Sequence, residues 1–188
     1  MNAIASKKVS VYNLSMVALF AALIALCAWI TIPGPVPFTM QTMGVFLAVG
    51  LLGGKRGTTA VLVYILLGAV GMPVFSGFAG GVGRLVGTTG GYIIGFLVSA
   101  LAMWAMEAIF GRAKWVLPLS MLLGLILCYA FGTVWFMALY TRNSGAITLA
   151  AVLGKCVIPF IIPDLLKIAL ALLLTSRLER FIKGSPAQ

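Results

Sequence analysis

Asp164 and Lys167 are two ionisable residues in an otherwise apolar stretch, residues 157–174. Their i, i+3 spacing places both side chains on one face of a helix. Ionisable groups at membrane depth usually face the interior of a helix bundle or a wet cavity. Two interpretations are open. The residues form either a structural ion pair that neutralises itself or a site that exchanges charge-assisted hydrogen bonds with a polar ligand.

Pro163 precedes Asp164 directly, and proline is favoured at the first position of a helix. We therefore expect a helix over about 163–178, with Asp164 in its first turn near the positive end of the helix dipole. Asp164 and Arg177 are 13 positions apart, which corresponds to about 20 Å of helix. With Arg177 at the cytoplasmic edge, Asp164 lies in the outer third of the membrane.

Other polar side chains could also contact a ligand. Arg84 is the only charged residue of a glycine-rich segment, 77–91, and its guanidinium can grip a carboxylate with two hydrogen bonds. Anchoring at the membrane interface is the alternative role. Gln41 and Thr39 offer uncharged hydrogen bonds near the start of the second apolar segment. Glu107 lies close to Arg112 in sequence, which predicts an ion pair at the surface.

Several kinds of chemistry are disfavoured by what the chain lacks. It has no histidine, which is the usual general base and the commonest metal ligand. Its cysteines, Cys27, Cys128 and Cys156, are odd in number and include no CxxC pair, so we expect neither a disulfide framework nor a zinc site. An intramembrane enzyme and a channel remain alternatives, but no nucleophile–base arrangement is visible. We expect no cofactor.

The composition indicates an integral membrane protein. Of 188 residues, 62% are hydrophobic and only 9% are charged, whereas soluble domains carry about 25% charged residues. In lipid every backbone polar group must be bonded within the protein, so only helices and closed barrels span the bilayer. The long, uninterrupted apolar segments favour helices. We therefore predict an all-α protein with a single transmembrane domain, residues 1–188.

The apolar segments predict six transmembrane helices. Glycine, proline and basic residues separate these segments. The first segment is longer than the apolar core of a signal peptide, so we interpret it as a retained helix. Residues 146–158 form either a short helix or a re-entrant piece. The six predicted spans cover about 14–32, 39–52, 58–72, 91–110, 116–140 and 163–178.

The basic residues predict the orientation. With six spans, one side of the membrane receives nine Lys or Arg residues and the other receives three, Arg84, Arg142 and Lys155. Positive charge collects in cytoplasmic loops, so both termini are expected in the cytoplasm and the protein in the cell membrane. The basic residues lie between apolar segments rather than on one solvated face, which argues against nucleic-acid binding.

A stripe of small residues runs along the first helix. Ala18 and Ala22 are four residues apart, as are Ala21 and Ala25. This spacing makes a flat surface on which another helix can approach closely. The stripe serves either internal packing or the docking of a partner protein.

Four stretches, in order along the chain, carry a family resemblance. The chain resembles the biotin-specific S component of energy-coupling-factor (ECF) vitamin transporters at residues 35–42, 67–77, 80–92 with Gly95 and Phe96, and 159–167. Thr88 and Ile162 stand where that family more often has proline, and neither change removes a polar group expected to touch ligand. An S component for another small vitamin is the alternative within the class.

The resemblance implies a six-helix, S-component-like bundle that binds biotin from outside. It also implies partnership with a transmembrane coupling protein and two ATPase subunits, with the alanine stripe as docking surface. Asp164 would accept the ureido N–H groups of biotin, Lys167 would donate to the ureido carbonyl or the valerate, and Arg84 would bind the valerate. The expected ligand-binding residues are Asp164, Lys167, Arg84, Gln41, Thr39 and Tyr92.

Overall fold

The computed structural model describes residues 10–34 and 36–183, and helices account for most of them. This confirms the predicted helical fold, with one small addition. Two two-residue strands, β1 (Thr31–Ile32) and β2 (Phe38–Thr39), form an antiparallel hairpin after the first helix. The helices are α1 (Val11–Trp29), α2 (Gln41–Leu52), α3 (Gly54–Ala69), α4 (Val82–Leu85), α5 (Gly90–Phe110), α6 (Val116–Ser144), α7 (Leu149–Cys156) and α8 (Ile158–Lys183).

Four of these helices, α1, α5, α6 and α8, are long and apolar enough to cross a membrane. The predicted count of six is not confirmed by length and composition within the described residues. Helix α2 has 12 residues, so its length is about 18 Å. The hydrocarbon core of a bilayer is about 30 Å thick. Helix α3 has 16 residues and carries two basic ones, Lys55 and Arg56, in its first turn.

The outside of the bundle is apolar, as expected for a protein surrounded by lipid. Leu26, Leu66, Ile126 and Leu170 are each about half exposed although they lie within helices. The interior is packed with large side chains as well, and Tyr64 is fully buried. A surface of this kind is stable only where hydrocarbon covers it, because a soluble protein keeps large apolar patches out of water.

Helices α5 and α6 approach each other closely because each presents glycines to the other. A Cβ at Gly132 would lie 2.3 Å from Cδ1 of Tyr92, and one at Gly124 would lie 2.4 Å from Oγ of Ser99. Small residues at such positions let two backbones pack by van der Waals contact. This packing fixes the position of Tyr92 relative to α6.

The alanine stripe of α1 is divided between two faces. Ala18 and Ala22 are exposed, whereas Ala21 and Ala25 are only 2% and 6% exposed and pack in the core of the bundle. This corrects the expectation that all four alanines could form one docking surface. Ala21 and Ala25 are packing residues of this subunit itself.

The last helix begins earlier than predicted. Helix α8 begins at Ile158, so Pro163 lies inside it and Asp164 is not in its first turn. The predicted placement of Asp164 at the positive end of the helix dipole is therefore wrong. Proline inside a membrane helix removes one backbone hydrogen bond, and neighbouring groups can compensate for that loss. The preceding segment contains the short helix α7, in agreement with the short-helix interpretation of residues 146–158.

The predicted ion pair of Glu107 is confirmed at one end of the bundle. The carboxylate of Glu107 accepts a hydrogen bond from Nε of Arg112 at 2.8 Å and one from the backbone N–H of Gly54 at 2.6 Å. It therefore joins the turn between α2 and α3 to the end of α5. We call this end the basic end of the bundle, because it carries five basic residues, Lys55, Arg56, Arg112, Lys114 and Arg177.

Candidate functional site

A cavity of about 60 Å³ lies at the end of the bundle opposite the basic end. Its wall combines the β1–β2 hairpin with the first residues of α2 and α5, the middle of α6, and α7 and α8. Polar residues far apart in sequence therefore meet at one place. Those lining it include Thr39, Gln41, Thr42, Ser76, Thr89, Tyr92, Tyr129, Asp164 and Lys167.

An ion pair on α8 forms the centre of the polar wall. Nζ of Lys167 donates a hydrogen bond to Oδ1 of Asp164 at 2.7 Å, and the two residues are 4% and 2% exposed. The i, i+3 spacing within one helix makes this contact local, as the sequence predicted. A buried pair needs further hydrogen bonds to offset the desolvation of its charges.

Side chains from two other helices supply hydrogen bonds to the Asp164 carboxylate. The hydroxyl of Thr42, on α2, donates to Oδ1 at 3.1 Å. The hydroxyl of Tyr129, on α6, donates to Oδ2. Three helices are thus joined through one carboxylate, and both of its oxygens are held in fixed positions.

Lys167 connects α8 to the hairpin. Its Nζ also donates to the backbone carbonyl of Thr39 at 2.6 Å and lies 4.0 Å from the centre of the Phe38 ring. Such a cation–π contact stabilises a charge that is removed from water. The two strand residues of β2 therefore help to hold the ammonium in a fixed position within the bundle.

A second set of hydrogen bonds orders Gln41 at the start of α2. Its Oε1 accepts from the hydroxyl of Thr39 at 2.9 Å, and its Nε2 donates to the hydroxyl of Tyr64 at 2.5 Å. All three residues are buried. The amide of Gln41 is thereby fixed beside the ion pair.

The rest of the cavity wall is apolar and aromatic. Ile93 and Phe96 come from α5, and Phe160 comes from α8. Phe160 stacks on Phe38, with ring centres 6.0 Å apart. An apolar chamber with a few convergent polar groups on one side is typical of small-molecule sites.

Two chain segments close the cavity. Val36 and Pro37 of the hairpin line it, as does Ser76 of the segment between α3 and α4. The end of α1 holds that second segment, because the indole N–H of Trp29 donates to the carbonyl of Pro73 at 2.9 Å. Trp29 also stacks on Phe78, with ring centres 4.9 Å apart.

The predicted ligand-binding residues are brought together with one exception. Asp164, Lys167, Gln41, Thr39 and Tyr92 all line the cavity. Arg84 lies on the short helix α4, is exposed, and is absent from the cavity wall. Helix α4 lies outside the elements that line the cavity, and contact between Arg84 and a ligand stays a prediction.

Two residues that the structure places at the centre of the site were not among the expected ligand-binding residues. Thr42 and Tyr129 both bond the Asp164 carboxylate. Thr42 is the last residue of the stretch 35–42, one of the four that resemble the family, and this position could have identified it as a site residue. Tyr129 lies in a long apolar helix, and nothing in its own neighbourhood distinguishes a cavity position from a packing position.

These features define a multi-pass helical membrane protein with a buried, amphipathic cavity for a small ligand. The chain belongs to the BioY family, whose profile matches residues 3–184.

Curated relatives cover almost the same length. A probable biotin transporter BioY of Pyrococcus horikoshii is 42% identical over 168 residues, 89% of this chain and 96% of the relative. The biotin transporter BioY of Thermotoga maritima is 42% identical over 163 residues, 86% of this chain and 92% of the relative.

A solved structure is similar in fold. It is a 2.1 Å crystal structure of the S component for biotin from an ECF-type ABC transporter. The TM-score is 0.77 at 28% sequence identity, and the match covers 90% of this chain and 92% of the other.

Proposed function

We propose that this chain is the biotin-binding S component of an ECF-type transporter. It is a transport subunit and not an enzyme. The observation that carries the proposal is the buried ion pair of Asp164 and Lys167, which lies in the wall of an amphipathic cavity. The family match and the fold shared with the S component for biotin support the same ligand.

The cavity offers partners for each part of biotin. The ureido ring has two N–H donors and one carbonyl acceptor, and the thioether ring is apolar. The Asp164 carboxylate can accept from an N–H group, and the Lys167 ammonium can donate to the carbonyl. Hydrogen bonds that involve a charged group contribute about 1.5–3 kcal/mol each. The rings of Phe96 and Phe160 would cover the apolar part.

The hydrogen-bond capacity of the ion pair leaves room for a ligand. An ionised carboxylate offers about four acceptor positions, and Asp164 uses three, for Lys167, Thr42 and Tyr129. An ammonium has three donors, and Lys167 uses two, for Asp164 and the carbonyl of Thr39. One acceptor position and one donor thus remain, which suits a group that both donates and accepts, such as a urea.

Binding requires the cavity to widen. Its volume of about 60 Å³ is well below the 300 Å³ or more of typical small-molecule pockets. The hairpin and the segment between α3 and α4 are non-helical parts of the wall, and side-chain contacts hold each of them to a helix. We therefore propose that these two segments move apart to admit biotin and close over it.

The wider assembly is part of the proposal. The chain would cross the cell membrane six times, with α2 and α3 as the two short spans and both termini in the cytoplasm, as the excess of basic residues on one side supports. The exposed alanines Ala18 and Ala22 would face a transmembrane coupling protein that associates with two ATPase subunits. The ligand cavity would then open to the outside.

Calorimetry with purified protein in detergent tests the ligand. Biotin is expected to bind with a dissociation constant of nanomolar order, about −12 kcal/mol. Thiamine, which lacks a cyclic urea, is the matched control and is expected not to bind. The proposal fails if biotin does not bind at roughly 100 μM, about −5.5 kcal/mol. Binding of thiamine instead would indicate an S component for another vitamin.

A further inference from the structure

A second cavity, of about 720 Å³, lies at the basic end of the bundle between α2, α5, α6 and α8. It is separate from the biotin cavity. Thr175 lines it, whereas Lys167, eight residues earlier on α8, lines the other. Eight residues correspond to about 12 Å along a helix.

The walls of this cavity are apolar and its mouth is charged. Val49, Met103 and Leu172 are among the apolar residues that line it. Three cationic side chains, Arg112, Lys114 and Arg177, and two acidic ones, Glu107 and Glu179, lie around the mouth. Arg112 is paired with Glu107, so Lys114 and Arg177 are the cations best placed to attract an anion.

A buried hydroxyl in the wall of the cavity is a second, independent observation at this site. Thr175 is only 3% exposed, and its Oγ1 has no hydrogen-bond partner in the described part of the chain. The Thr175 side chain packs closely against α2 at Gly50. A Cβ at that glycine would lie only 2.8 Å from the Thr175 oxygen. Buried polar groups without a partner are rare in native proteins and call for an explanation.

The geometry points to an anionic glycerophospholipid as the occupant of this cavity. Leu172 and Leu173 line the cavity, and Leu173 is 55% exposed, so apolar side chains border the cavity together with the charged ones. Acyl chains would occupy the apolar walls, and the phosphate would meet Lys114 and Arg177. An ester oxygen or headgroup hydroxyl would bond Thr175. Basic pockets between membrane helices are suited to anionic headgroups.

Native mass spectrometry of the full-length protein with added phosphatidylglycerol tests this inference. Phosphatidylglycerol is expected to bind with higher affinity than phosphatidylcholine. The paired substitution Lys114→Gln with Arg177→Gln should weaken phosphatidylglycerol binding by about tenfold or more, because each basic residue contributes to attraction of anionic lipid. Lys55→Gln with Arg56→Gln is the matched control, since these exposed residues lie at the same end of the bundle outside the cavity, and it should leave the binding nearly unchanged.

A second variant tests the buried hydroxyl without changing any charge. Thr175→Val keeps the shape of the side chain and is expected to weaken phosphatidylglycerol binding several-fold. Size-exclusion profiles and biotin affinity report whether each variant is folded. Equal binding of both lipids, or equal losses in the two paired variants, overturns the inference. Displacement of the lipid by inorganic phosphate alone would also overturn it, because the site would then recognise a free anion.

Discussion

Oδ1 of Asp164 and Nζ of Lys167 lie 2.7 Å apart on the same face of α8, and both side chains are almost completely withdrawn from the surface. Removing one member of a buried pair leaves an uncompensated charge, which costs about 3–5 kcal/mol. The pair is therefore important to the fold as well as to the ligand. Experiments on the site must separate loss of folding from loss of binding.

Asp164→Asn keeps the shape of the side chain but removes its charge and an acceptor. We expect biotin affinity to fall by at least about 2 kcal/mol, roughly 30-fold, measured by calorimetry on protein that remains monodisperse. Glu107→Gln is the matched control, because that acid lies at the basic end of the bundle. A variant that loses thermal stability but keeps its affinity would show that the ion pair is structural and that biotin binds elsewhere.

Tyr129→Phe tests the hydroxyl that bonds Oδ2 of Asp164. The substitution removes the hydrogen bond that fixes one oxygen of the carboxylate, so we expect biotin affinity to decrease by about 1 kcal/mol, roughly fivefold. The control is Tyr140→Phe in the same helix, at a position outside the cavity wall. If both variants bind biotin equally well, Tyr129 does not position the carboxylate for the ligand.

The site was predictable where its geometry is local to one helix. Asp164 and Lys167 are three residues apart, so helical periodicity alone places them side by side. Thr42 and Tyr129 reach the same carboxylate from other helices, and sequence spacing does not determine how helices are arranged around each other. For the same reason the sequence could not show that Arg84 lies on a short helix outside the cavity wall.

The errors in the fold also have physical causes. Pro163 suggested a helix start because proline suits the first helical turn, but α8 continues through it. Membrane helices tolerate an internal proline because neighbouring groups can satisfy the free carbonyl. The composition correctly indicated apolar helices, since lipid imposes a strong requirement for internal backbone hydrogen bonds. The second predicted segment, 39–52, is already shorter than the roughly 20 residues of a perpendicular span, and α2 has 12 residues.

Trp29→Phe tests whether the segment between α3 and α4 closes the biotin cavity. The variant keeps an aromatic ring against Phe78 but loses the hydrogen bond to the carbonyl of Pro73. A lost hydrogen bond of about 1 kcal/mol should increase the biotin dissociation rate about fivefold, as measured by stopped-flow chase with unlabelled biotin. Trp115→Phe, at an exposed position away from this segment, should leave the rate unchanged. If Trp29→Phe and the unaltered protein release biotin at the same rate, the hydrogen bond between Trp29 and Pro73 does not help to close the cavity.

The exposed half of the alanine stripe is the surface where we expect the coupling protein to dock. Ala18 and Ala22 are exposed on α1, and close helix approach depends on the absence of side-chain bulk. Ala18→Trp or Ala22→Trp should therefore prevent co-purification with the coupling protein while biotin affinity of the isolated subunit is retained, because neither residue lines the biotin cavity. Leu19→Trp is the control on the same helix, since Leu19 is already large and 61% exposed, and it should still assemble.

Ala21→Trp distinguishes docking from internal packing. Ala21 is 2% exposed, so a tryptophan there must displace core side chains, and overpacking of a well-packed core costs about 1–3 kcal/mol or more. We expect this variant to lose thermal stability and biotin binding together, a pattern opposite to that of Ala18→Trp. If Ala18→Trp instead loses biotin affinity while assembly persists, the exposed face of α1 is not the surface that meets the partner.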